Sequence, residues 1–233
     1  MKNILLQHYN GQLSDLAKAS MENMKQYASY CGAEYKLIEG EPVDVIRETA
    51  SKNTTPYKIH ACHKIHMLNE EFDDYDVVAM IDPDMFVRKG MTKNLFTDET
   101  GVGICSDHIR ANAFSRFCRA MPAYGSKLNA FWGGAIYRLD LDMRKSLREQ
   151  WDRTEISRLA VTPFVDEGIM HNLSRKANIR DKPEYILDQK WCWCSYLPNA
   201  KDAYMIHMRK RDEKKNRTTK EESLKTLQEK DIV

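Results

Sequence analysis

The sequence predicts an α/β protein, a single domain built around a central mixed, mostly parallel sheet. Three observations carry this. Short apolar runs alternate with amphipathic stretches from the first residues onward. A strand–helix–strand unit fits within the opening 40 residues. The most apolar run, Val77 to Ile81, sits mid-chain as a buried central strand would.

The elements follow in order. Asn3 to Tyr9 reads as a first strand ending in a polar and aromatic edge before Gly11. Ser14 is a suitable N-cap for a helix to about Tyr30, with Leu13, Leu16, Ala17, Ser20, Met21, Met24 and Tyr27 at three- and four-residue spacing. Cys31–Gly32 stops it, and the stretch from Ala33 to Gly40 forms a second strand. After a polar loop, a helix from Pro56 to about Phe72 leads into the Val77–Ile81 strand. Further strands are expected from Gly101 to Asp107, within Leu128–Asp140, at Tyr185–Leu187, and last at Ala203–His207. Helices are expected from Leu141 to about Ala160 and from Phe164 onward. The charged, Lys-rich stretch beyond Arg209 reads as an exposed helix, or as a linker to a further domain. That divides the chain into a domain at 1–208 and a tail at 209–233.

Composition narrows the function classes. Charged residues make up 30% and hydrophobic ones 42%, ordinary for a globular domain. A net charge of +2 gives no pull toward nucleic acid. No apolar run approaches the ~20 residues of a membrane span, and Met1–Leu6 is too short for a signal-peptide core. Six scattered cysteines without a leader point to reduced thiols and a cytoplasmic location, and Cys192–Cys194 is a lone CxC without the partner pair that zinc needs. His60, His63 and His66 read as helix surface.

Chemistry concentrates where the central strand ends. Asp82 and Asp84 flank Pro83, which has no N–H and a fixed φ, so the ladder stops there. Two carboxylates at the carboxyl edge of an α/β sheet suit a hard divalent cation or a shared proton. The favoured reading is a metal, with a diphosphate on its far side. Pro83 then acts as a rigid spacer, Asp84 ligating directly and Asp82 reaching ribose or metal through water.

YDVVAMIDPDMFV resembles the DxD segment of the GT-A class of nucleotide-sugar glycosyltransferases. The resemblance runs as ordered landmarks over about residues 1–210 and implies a GT-A-like nucleotide-binding domain. It implies that Asp82 and Asp84 hold Mn2+ or Mg2+ against the diphosphate of a UDP-sugar. FWGGAIYRL resembles the segment whose glycines, here Gly133 and Gly134, border donor sugar and acceptor. VDEGIMHNL resembles the Asp–Glu helix start of retaining members, which puts Glu167 at the anomeric carbon and Asp166 on the sugar hydroxyls. His207 matches a late histidine that serves as third metal ligand, followed by a basic residue for the diphosphate, here Lys210 beside Arg209 and Arg211. The match departs from the family pattern there, because no glycine separates His207 from Lys210. His8 and Tyr9 fall where the family holds uracil. Lys64 falls where it places a base- or phosphate-contacting residue, although the lysine by itself reads as solvated. Trp191 and Trp193 fit either a sugar platform or the core. The compactness resembles bacterial or large-DNA-virus members.

The implied reaction moves a hexose (glucose, galactose or a deoxyhexose such as rhamnose) from a UDP-sugar to a glycan hydroxyl with retention. Two rivals remain. Haloacid-dehalogenase phosphatases also end an apolar strand in DxD, but on the first strand and with Thr or Val where this chain has Phe86. A non-catalytic sugar- or nucleotide-binding module would need no metal pair together with Glu167.

Overall fold

A computed structural model describes residues 1–39, 62–99, 134–152, 154, 165–179, 187–209, 211–213 and 216–233. For residues 165, 167, 171, 211–213, 216 and 217 this covers the backbone alone. The strands expected at 101–107 and 185–186, and the later part of the helix expected to reach residue 160, lie outside the described residues.

The chain opens as expected with β1 (Asn3–His8), α1 (Asp15–Tyr30) and β2 (Glu34–Ile38). The Ser14 side chain accepts from the Ala17 amide and caps α1. Its apolar positions make one buried face, Leu16, Ala17, Met21, Met24, Tyr27 and Ala28. The helix expected to end near Phe72 is instead tighter: two 3₁₀ segments, Cys62–Leu68 and Glu70–Phe72. Next come β3 (Val77–Ile81), β4 (Met85–Val87), β5 (Ile136–Asp140), α2 (Leu141–Glu149) and α3 (Val165–Lys176). Asp140 caps α2 through the Met143 amide at 2.8 Å.

The main sheet runs β2-β1-β3-β5, parallel except for β5, which pairs antiparallel with β3. Period-2 alternation sorts its side chains into two layers. Ile4, Leu6, Val78, Met80, Tyr137 and Leu139 pack with the 3₁₀ segments, α2 and α3. Leu5, Val77, Ala79, Ile81 and Ile136 pack with α1 and with Trp191, which is therefore core and not a sugar platform. Helices on both faces explain why β3 is apolar at every position.

A second sheet, β4-β7-β6, joins β6 (Trp193–Cys194) and β7 (Met205–His207) to β4. β7 is not the last strand. A hairpin of β8 (Arg211–Glu213) and β9 (Asn216–Thr218) follows, then α4 (Lys220–Glu229). Thr219 and Glu222 close a capping box at the start of α4. The expected exposed helix is corrected here. Leu224 and Leu227 are buried against Leu16, Phe86, Ile206 and Met208, which docks α4 on the body of the domain.

Candidate metal and donor site

Backbone pairing assembles the site. β3 and β4 are joined at Pro83–Asp84, where the Met85 amide donates to the Asp82 carbonyl at 3.2 Å. β4 then runs antiparallel to β7 with Met85 opposite His207, and the Met208 amide donates to the Asp84 carbonyl at 2.9 Å. That register carries His207 to Asp84 from far along the chain. The ligand atoms of Asp82, Asp84 and His207 all lie within 4.8 Å of one another.

Buried polar groups hold the DxD backbone in place. Gln7 Nε2 donates to the Asp82 carbonyl and to Ser20 Oγ, both at 3.1 Å. Ser20 Oγ donates to the Met85 carbonyl at 2.7 Å, and Tyr35 donates to Gln7 Oε1 at 3.0 Å. Sequence reasoning overlooked Gln7 and Ser20. Their signal was polarity at an inward position of a strand and of a helix face otherwise apolar.

Around the Asp82 carboxylate, Lys64 Nζ lies 2.8 Å and His8 Nε2 3.3 Å from Oδ1. Lys64 is buried, so its solvated reading is overturned. Its ammonium also pairs with Asp166 Oδ2 at 2.9 Å and donates to the Gly134 carbonyl at 2.5 Å. One lysine thus bridges the DxD turn, the glycine segment and the first turn of α3. Burial works against the charge on Asp82, but Lys64 and His8 outweigh it and hold the carboxyl below the usual range. Burial likewise opposes the charge on Lys64, and the Asp166 and Asp82 carboxylates raise it well above an ordinary lysine.

Asp84 faces a different set. His207 Nε2 approaches Oδ1 at 3.2 Å, off the hydrogen-bonding direction, so that buried oxygen has no hydrogen bond. Lys220, from the first turn of α4, donates to Oδ2. Against the opposing effect of burial, His207 and Lys220 hold the Asp84 carboxyl low. Burial works against a charge on His207, but the Asp84 carboxylate outweighs it and raises the pKa above the usual imidazole range. Arg209 Nε donates to His207 Nδ1 at 3.0 Å. Sequence reasoning gave Lys220 no role, because no local signal ties it to residue 84.

The structure therefore brings together His8, Lys64, Asp82, Asp84, Gly134, Asp166 and His207. The Tyr9 hydroxyl donates to the Gln12 carbonyl and accepts from the Ser14 amide, both at 3.2 Å, bracing the turn into α1. Gly133 and Lys210 lie outside the described residues, and Glu167 and Arg211 are described by backbone alone. His63, expected at a helix surface, is buried and stacks on His8 with ring centroids 6.0 Å apart. Cys192 and Cys194 are buried.

Two carboxylates and an imidazole, with one carboxylate oxygen lacking a hydrogen bond, fit a divalent cation.

No protein-family model and no curated protein matches the chain. Solved structures do. The chain is similar to a glycosyltransferase involved in glycosylation of the major capsid of PBCV-1, at 14% identity and a TM-score of 0.58, covering 98% of this chain and 100% of that one. It is also similar to the galactosyltransferase LgtC in complex with donor and acceptor sugar analogs, at 10% identity and a TM-score of 0.54, covering 88% and 86%. An active-site mutant of LgtC aligns at 13% identity over the same shares, with a TM-score of 0.50. These likenesses show the GT-A fold of glycosyltransferases, with its mixed central sheet. That fold removes the ground for the phosphatase reading.

Proposed function

We propose that the protein is a metal-dependent glycosyltransferase that moves a hexose from a UDP-sugar to a glycan hydroxyl with retention of configuration. The observation that carries this is the convergence of Asp82, Asp84 and His207 beside the main sheet of a GT-A fold. Asp82, Asp84 and His207 would hold Mn2+ or Mg2+. When bound, such an ion supplies Lewis-acid stabilisation of the charge that builds on a departing diphosphate.

The chain's own residues do the rest. Lys64 fixes Asp166 at the start of α3, within one ammonium of Asp82. Asp166 is assigned to the sugar hydroxyls. Glu167, next in the same helical turn, is assigned to the anomeric carbon, on the face opposite the leaving group. His8 orients Asp82, and Gly134, whose carbonyl Lys64 holds, borders the donor. Gly133 is assigned beside Gly134, Tyr9 to uracil, and Lys210 to the diphosphate. The donor sugar is drawn from glucose, galactose or a deoxyhexose such as rhamnose. The proposed setting is cytoplasmic. No helix among the described residues is long and apolar enough to cross a membrane.

Calorimetry with UDP in the presence of Mn2+, repeated with EDTA, tests the scheme. UDP should bind with metal and lose most of its affinity without it. Equal binding in EDTA, or none in either condition, would refute the proposal. An inverted product anomer would remove Glu167 from its role.

A further inference from the structure

Lys220 stands where helix physics disfavours it. It is the first residue of α4, and a cation at a helix N-terminus opposes the macrodipole. Its neighbours Glu221 and Glu222 are the residues that the position favours. The lysine side chain keeps 31% of its exposure while the Asp84 side chain it meets keeps 12%. The ammonium nevertheless reaches Asp84 Oδ2. The backbone beneath it is fixed from both ends. The capping box closes the first turn, with the Thr219 amide donating to Glu222 Oε2 at 2.7 Å and the Glu222 amide donating to Thr219 Oγ1 at 3.1 Å. Leu224 and Leu227 are buried, and at the far end the Lys89 amide donates to the Ile232 carbonyl at 2.8 Å. The backbone is thus held while the lysine reaches Asp84 through a long side chain of four methylenes.

We infer that Lys220 is a tethered counter-cation that competes with the divalent ion for Asp84 and so sets the metal affinity of the site. This rests on the metal reading above. The ammonium and the ion need the same carboxylate, and two cations drawn to one buried carboxylate repel each other strongly in a poorly screened pocket. The ion enters as the lysine side chain swings off Oδ2 toward solvent, while α4 stays docked. No covalent step is involved.

The test is a titration of the full chain with Mn2+ alone, after chelator treatment, at one fixed pH. Wild type, K220Q, K220M, K220R and D84N are compared by calorimetry. K220Q and K220M should bind Mn2+ tighter, on the order of tenfold, with K220R near wild type and D84N without binding. In thermal melts the Mn2+-induced rise in Tm should be larger for K220Q than for wild type. If wild type binds Mn2+ and D84N does not, yet K220Q binds equally or more weakly, Lys220 is a bystander or a support and this inference alone is overturned. If wild type binds no Mn2+, the metal reading and the inference fall together.

Discussion

At the scale of single residues, the site is a matter of charge kept out of water. Lys64 is buried with two carboxylates and a carbonyl around its ammonium. Removing one partner of such a set leaves uncompensated charge in the interior, which costs about 3–5 kcal/mol. Lys64→Met should therefore lower the unfolding free energy, read from denaturant melts, by that much. A loss under about 1 kcal/mol would mean that Asp82 and Asp166 are solvated. Asp73 and Arg148 offer a contrast. Arg148 grips both carboxylate oxygens of Asp73, at 2.8 and 2.6 Å, but the pair is part-exposed and screened. Its worth is about 1 kcal/mol or less. The hydrogen bonds from Arg148 hold the Asp73 carboxyl below its ordinary value. A carboxylate whose pKa is depressed by folding contributes fully above its unfolded pKa, near 4, and loses that contribution as pH falls through the folded value. Arg148→Met should thus be destabilised at pH 7, with the gap to wild type narrowing below about pH 4. Urea midpoints across that range read it directly, and a gap constant with pH would assign the arginine to packing and to its bond with the Leu68 carbonyl.

At the scale of elements, local chemistry was legible and pairing was not. Ser14 announced the start of α1, and the run Val77–Ile81 ended at Pro83 as read. Asp82, Asp84 and His207 were named from sequence and do converge. The fate of Lys64 was hidden because no run of sequence shows which carboxylates lie across the fold. The same holds for Lys220. The tail looked exposed because its charged residues outnumber two leucines, yet those two suffice to dock one face of α4. Leu227, 5% exposed, should cost about 2 kcal/mol when cut to Ala, at the low end for a buried leucine because the helix lies at the periphery. An unchanged urea midpoint for Leu227→Ala would show that α4 contributes no stability.

At the scale of the whole molecule, helices cover both faces of the main sheet, and the smaller β4-β7-β6 sheet carries the other half of the site. Fold class was legible because alternation and apolar runs are properties of the chain itself. The second sheet was not, since β4 lies more than a hundred residues from β6 and β7 and each strand is two or three residues long. The comparisons agree with the architecture at identities too low to carry residue roles. The geometry of this chain bears on Asp82, Asp84, His207, Lys64 and Asp166, and the assignments of Glu167, Gly133 and Lys210 remain proposals.

The register of β4 on β7 has a consequence for how the molecule comes into being. Met85 faces His207, flanked by Ile206 and Met208, both buried among apolar neighbours. A slip of one position would set an aliphatic side chain opposite Met85 and strand an imidazole in the core. Burying the hydrophobic residues of β7 and aiming its histidine are one event. An ion bound at His207 would thus act as a reporter of correct folding, stabilising only chains whose two sheets have closed in register.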